Sequence, residues 1–271
     1  MKRKRVLFLG CCLTAALCII LIVPPMLQPA PAPIDKQQVV ASAINFLEYT
    51  NEPDALLMLD VIHRRFGIAE FADALQRYDQ LLAEEPPEAP VMRLFRRIAD
   101  HDNPLQVNDL NAVSFDVDFL TIPALYCDQL ELSINYATQL VQAANSGGYM
   151  LTHALLAWIW IQENVCEVQL PDGFIENLYR ANAELIDDNP VVSDLELEAA
   201  AFLYLAGQGA LVDDAFVERV IAVQNYDGGW LSYSAEPGAS HWHPTVVALM
   251  LLLHVEYPSD SYPPMLAPVS P

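Results

Sequence analysis

Three stretches of this chain, 151–161, 195–206 and 245–255, are apolar nearly all round when wound into helices. A helix with no polar face has to be covered on every side, so these three belong inside something. Their cover is legible in the stretches between. Leu130, Ile134, Ala137, Val141 and Ala144 recur at helical spacing among polar residues, as do Phe174, Leu178, Ala181 and Leu185, and then Phe216, Val220 and Val223. Half-polar helices beginning near Asp128, Asp172 and Asp213 thus alternate with apolar ones beginning near Met150, Asp194 and His243. A repeat of roughly 40–50 residues, each unit one half-polar and one apolar helix, suits a two-layer ring or solenoid with the apolar helices inside.

Upstream, 37–49, 54–66, 70–84 and 90–99 read as four further helices, with Phe71, Leu75, Tyr78 and Leu82 a clear stripe, while strand signals are scarce. The expected fold is all-α, about five helix hairpins over residues 36–257. Residues 102–121 read as an irregular connector, and the Pro-rich 258–271 as a disordered tail.

The N-terminus carries a separate message. Residues 1–5 hold Lys2, Arg3, Lys4 and Arg5, a basic cytoplasmic tail, and 6–23 run without a charge. As a helix that run would be roughly 27 Å long, close to the thickness of a bilayer's hydrocarbon core. The basic cluster keeps the near side cytoplasmic and places everything after Pro24 outside. The expectation is a single-pass signal-anchor: the apolar run is long for a signal peptide, and at Ala30-Pro31-Ala32 a proline follows each alanine of the only small-residue pattern. A cleaved signal stays as the alternative. Pro24, Pro25, Pro29, Pro31 and Pro33 stiffen the spacer 24–35 between membrane and domain.

From Ile34 onward lie all 35 acidic residues and only nine of the 13 basic ones. Such a surface repels phosphate backbones and anionic headgroups, which excludes nucleic acid as a partner. The expected partners are the membrane, through the N-terminal helix, and a small-molecule or protein ligand; no cofactor or metal is expected.

Cys11, Cys12 and Cys18 fall in the apolar run and read as small apolar residues. Cys127 and Cys166 flank stretches 128–144 and 150–164, which read as an antiparallel helix pair turning at Gly147. Nearly equal distances from the turn bring the two thiols to the far end of the hairpin, and a Cys127–Cys166 disulfide suits an oxidising compartment.

Gln224-Asn225-Tyr226-Asp227-Gly228-Gly229-Trp230 fits the pattern Q-x-x-x-G-x-W and resembles the motif that recurs in squalene and oxidosqualene cyclases. His243-Pro244-Thr245-Val246-Val247-Ala248-Leu249 looks like the inner-helix start that follows it. A degraded copy runs through Gln142, Gly147, Gly148 and Tyr149 into Thr152-His153-Ala154-Leu155. The resemblance implies the α/α toroid of the terpenoid cyclase and protein prenyltransferase superfamily. In that family the motif is structural: the glycines permit a tight helix exit, the Gln bonds exposed backbone, and the aromatic packs one helix on the next.

The resemblance stops short of chemistry. Cyclases that protonate their substrate use D-x-D-D, and the nearest match, Asp116-Val117-Asp118-Phe119, lacks the final pair. Metal-binding D-D-x-x-D fails at Asp187-Asp188-Asn189-Pro190-Val191 and at Asp213-Asp214-Ala215-Phe216-Val217. The Asp–Cys–His zinc set of the prenyltransferases would need a cysteine that the disulfide takes. Cys166-Glu167-Val168-Gln169 has the spacing of a complement-type thioester without its surrounding residues.

Candidate sites gather near inner-helix starts. His241-Trp242-His243 could present imidazoles and an indole at a cavity rim, with Thr152, His153, Asp194 and Glu198 from neighbouring helices and Trp158 or Tyr204 as aromatic lining. The bland alternatives are a capping His243 and a hydrogen-bonded core His153. Glu196 and Glu198 face different ways, so one at most points inward, where it would act as a general acid. The candidate catalytic residues are Glu198, His153, His241 and His243; the candidate ligand contacts are His241, Trp242, His243, Trp158 and Asp194. Ser232 and Ser234 near His241 lack the G-x-S-x-G elbow of a hydrolase. The expected function is binding of a ligand or partner in the toroid's cavity or rim; an exported toroid enzyme acting on polysaccharide or isoprenoid lipid and an α-solenoid scaffold are the alternatives. Convergence of His153, Glu198, His241 and His243 on one pocket would favour the enzyme.

Overall fold

The computed structural model describes residues 35–235, 237–259 and 261–268. The expected signal-anchor and most of the spacer lie outside them. Among the described residues there are eleven α-helices, four short 3-10 turns and no strand, and no helix is long and apolar enough to cross a membrane.

The helices are α1 (Lys36–Leu47), α2 (Pro53–Phe66), α3 (Ala74–Ala83), α4 (Ala89–Phe95), α5 (Asp116–Leu125), α6 (Tyr136–Ser146), α7 (Gly148–Glu163), α8 (Phe174–Ala183), α9 (Asp194–Leu205), α10 (Asp214–Ala222) and α11 (Trp242–Glu256). The three apolar stretches form the bodies of α7, α9 and α11. They pack side by side, α7 on α9 and α9 on α11. In α11 every residue from Pro244 to His254 is buried. Helix α5 packs on α7, and α2 on α11, so five helices line the middle of the domain. The amphipathic α1, α6, α8 and α10 bury one stripe each: Val39, Ala43 and Leu47 on α1; Tyr136, Leu140 and Ala143 on α6; Phe174 and Leu178 on α8; Phe216 and Val220 on α10.

The first and last of the described helices meet through the Gln224–Trp230 segment. Gln224 Nε2 donates to the carbonyl oxygens of Val39 and Gly228, 2.8 Å each, tying this turn to α1. Trp230 is buried, its Nε1 donates to Val220 O at 2.8 Å, and its amide donates to Thr245 Oγ1 at 2.9 Å. The motif therefore fastens α1, α10 and α11 together. Gly228 has φ 92°, and a Cβ there would lie 2.4 Å from Ser42 O, so the close approach to α1 needs glycine. The degraded copy works differently: Gln142 offers only its carbonyl to Ser146 Oγ, and Tyr149 reaches Asp194.

Three expectations need correction. The stretch 102–121 is not wholly irregular, since a 3-10 turn spans Val107–Ala112 and α5 starts at Asp116. Arg97, fully buried, organises what precedes and follows: it donates to the carbonyls of Leu125 and His101 and to Asp128, and its guanidinium lies 4.9 Å over the Tyr126 ring. The helix expected at 128–144 begins only at Tyr136, and Leu130 and Ile134, meant for its apolar stripe, are exposed, Ile134 at 97%. The Pro-rich tail, expected to be disordered, is held where it is described. Met265, Leu266 and Ala267 are buried, because Glu163 accepts the amides of Met265 and Leu266 at 2.7 and 2.8 Å while Arg64 and Arg65 donate to the carbonyls of Met265 and Pro263.

The Cys127–Cys166 disulfide is present, with Cα atoms 6.1 Å apart. Its setting differs from the expected hairpin: Cys127 follows α5 and Cys166 follows α7, so the bond joins the trailing ends of two adjacent inner helices. Such bonds persist in oxidising, extracytoplasmic surroundings.

Candidate functional site

The disulfide at the trailing ends of α5 and α7, and the Arg65–His254 contact at those of α2 and α11, put the helix ends on one side of the domain. The helix starts gather on the other. There a cavity of about 310 Å³ opens, lined by Asp54 of α2, Asp118 of α5, His153 of α7, Glu198 of α9, and Trp242 and His243 of α11. Its remaining wall is apolar, with Phe95, Phe115, Trp160 and Phe202 among the aromatic residues. Each polar group sits in the first two turns of its helix, where carboxylates are favoured by the unpaired N–H groups.

Glu198 is the hub. Its side chain is 1% exposed. Oε1 accepts from Thr152 Oγ1 and lies 3.3 Å from His153 Nδ1. Oε2 is 3.2 Å from His243 Nε2 but makes no hydrogen bond of good geometry. Burial alone would raise its pKa; the two imidazoles of His153 and His243 beside it and the Thr152 hydroxyl outweigh that and hold it down at about 2.

The two histidines differ in what their nitrogens face. His243 places Nδ1 2.8 Å from Asp194 Oδ1 and Nε2 against Glu198, so carboxylates flank both nitrogens. Burial opposes its charge, but these two partners win and push its pKa up to about 10. His243 is a fixed imidazolium, with no free lone pair to act as a base. Asp194 also accepts from Tyr149 OH at 2.9 Å, and burial together with that carboxylate raises the phenol's pKa. His153 is the opposite case. Its Nδ1 lies 2.9 Å from the carbonyl of Tyr149, and a carbonyl only accepts, so Nδ1 carries the proton. Nε2 has no protein partner among the described residues, and the ring lines the cavity. With Nδ1 committed to that carbonyl, Nε2 is the ring nitrogen left to carry a lone pair, and Glu198 lies beside the ring.

Asp118 faces the same space. Burial, then the charge of Asp54, push its carboxyl up to about 6, against a lowering by His153. Asp54 is raised as well, by desolvation against a lowering from His243, although the residue is exposed. The site thus sets a carboxyl whose pKa is raised to about 6 beside an imidazole with one nitrogen free of protein partners among the described residues.

Of the residues singled out in the sequence, Glu198, His153, His243 and Trp242 meet at this cavity, and Asp194 stands behind His243. Glu196 does not point in: it forms the capping box of α9 with Ser193. His241 is not a member either. It is exposed and caps α11, its Nδ1 accepting from the His243 amide at 3.2 Å. Trp158 turns outward to α8, where its Nε1 donates to Tyr179 OH, and Tyr204 lies at the opposite end beside His254. Ser232 and Ser234 bond the 192–194 backbone, through Ser232 O to the Asp194 amide and Ser234 Oγ to the Val192 amide, and form no triad. Cys166 is in the disulfide and unavailable for a thioester. Asp54 was missed, and Asp118 was noted only as an incomplete motif. The signal that unites them with the histidines is position: a titratable side chain early in each inner helix.

In comparisons with family models, with curated proteins and with solved structures, nothing matches this chain.

Proposed function

We propose that the chain is an extracytoplasmic enzyme that binds a small, largely apolar molecule in this cavity and works on it by proton transfer, with His153 Nε2 as base and Asp118 as acid. The observation that carries the reading is His153. A core histidine would spend both nitrogens on protein partners; this one commits Nδ1, leaves Nε2 without a partner among the described residues, and lines a cavity of the size small-molecule sites have, about 300–1,000 Å³ at large. Binding without chemistry, the reading first drawn from the sequence, needs no such base.

Within the same proposal the domain is an α/α toroid of the terpenoid cyclase-like kind. The contact of α2 with α11, the reach of Gln224 to α1 and five inner helices starting on one side support it. The 6–23 stretch holds the domain at a membrane, outside the cytoplasm, in keeping with the disulfide.

Saturable binding of prodan, a neutral apolar fluorophore, to the full chain tests the cavity. Met58, half-buried in the cavity wall, offers the control. Binding lost in Met58→Trp, with unchanged circular dichroism, is the expected result; equal binding in both places the dye elsewhere and removes the proposal. A reporter active only outside the cytoplasm, fused after Pro271, tests orientation, and a silent fusion refutes it.

A further inference from the structure

We infer that the molecule this cavity takes carries its polar end as a protonated amine on an apolar body. The inference rests on the cavity reading above and adds the ligand's chemical class. It comes from an inventory of the hydrogen-bonding groups left over on the wall. His243 has both nitrogens against carboxylates, Thr152 is spent on Glu198, and Trp160 Nε1 is spent on Met265 Sδ at 3.4 Å. Trp242 Nε1 is the one side-chain donor on the wall without a protein partner among the described residues. Acceptors are plentiful. Neither the Asp54 nor the Asp118 carboxylate makes a hydrogen bond or ion pair to any described side chain, and His153 Nε2 adds a lone pair. Beneath them Glu198, buried and lining the same cavity, keeps Oε2 without a hydrogen bond.

A wall that mostly accepts calls for a guest that mostly donates. An ammonium offers three donors and no acceptor. A polyol also donates, but its hydroxyls would be spread along its body, against Leu57, Ile98, Leu156 and Val247, where they would lose hydrogen bonds to water. An apolar body with one ammonium end avoids that cost. The aromatic faces of Trp242, Phe115 and Phe202 add an attraction that a neutral head group lacks. No arginine or lysine lines the cavity to compete for the carboxylates. The charged or titratable groups facing it are Asp54, Asp118, His153, Glu198 and His243, and of these His243 is already balanced by Asp194 and Glu198.

The test uses the full chain in zwitterionic nanodiscs and three probes of one shape: 4-phenylbutylamine, 4-phenylbutanol and 4-phenylbutyrate. The saturable change in fluorescence of Trp160 and Trp242 is read against empty discs. At pH 7.5 the amine should bind about tenfold more tightly than the alcohol, as a charge-assisted hydrogen bond and ring contact imply. The butyrate should bind most weakly, and the amine's advantage should vanish in an Asp54→Asn, Asp118→Asn double variant that still binds the alcohol. An alcohol or butyrate that binds as well as the amine overturns this inference and leaves the cavity reading standing. If no probe shows saturable binding, the cavity reading falls and takes this inference with it.

Discussion

His243 Nδ1 lies 2.8 Å from Asp194 Oδ1, joining the first turns of α11 and α9 across 49 residues of sequence. That pair, continued through Nε2 to Glu198, makes the helix starts sensitive to pH. An unfolded histidine titrates near 6.5, and the folded one near 10. Its stabilising contribution is complete below about 6.5 and fades as pH rises through about 10. Glu198, held at about 2 against 4.5 unfolded, contributes fully above about 4.5 and loses that contribution as pH falls through about 2. Both shifts describe one cluster, strongest between about pH 4.5 and 6.5. Urea unfolding of the wild type and of His243→Gln should show a wild-type advantage of a few kcal/mol at pH 6 that shrinks towards pH 10. Parallel pH profiles would contradict the assignment.

The disulfide closes a loop between residues 39 apart. Loop-closure entropy sets the stability lost on Cys127→Ala, Cys166→Ala at about 3–4 kcal/mol. Denaturation midpoints measured with and without reductant should differ in the wild type and coincide in the double variant.

Gly228 and Gly173 both have positive φ, but only Gly228 has backbone in the way of a Cβ; nothing lies within 4 Å of one at Gly173. Gly173→Ala should cost about 1 kcal/mol from conformation alone. Gly228→Ala must also displace α1 and should cost on the order of 2–4 kcal/mol. Equal losses in thermal unfolding would mean the Gln224–Trp230 turn does not fasten α1.

Glu163 holds two backbone amides of the C-terminal strap. Glu163→Leu leaves the Met265 and Leu266 N–H groups unpaired, at about 1–3 kcal/mol each. Hydrogen exchange at Leu266 should quicken by orders of magnitude before the core helices respond. Unchanged exchange there would show that the strap is held by its apolar side chains alone.

Three of the five inner helices were legible, because α7, α9 and α11 have no polar face to mislead the reading, whereas α2 and α5 were not recognised as inner. The site was half legible. His153, Glu198 and His243 interrupt apolar helices and draw the eye; Asp54 and Asp118 lie in the first turns of α2 and α5, where an acidic residue is ordinary. Trp158 and His241 misled because an aromatic or imidazole on an inner helix can face either layer, and only packing decides which. The strap was illegible. Its prolines forbid helix, and nothing in residues 261–268 announces that Glu163 and two arginines far upstream will pair with their backbone.

The free Nε2 of His153 is what separates a reactive cavity from a greasy one. Nitrogen-15 chemical shifts of the His153 ring, recorded on the full chain while that ring is neutral, report its tautomer directly. A proton on Nδ1 and a bare Nε2 is the expected result. A proton on Nε2 would mean that Tyr149 O does not hold the ring, and His153 would then have no lone pair to offer a substrate.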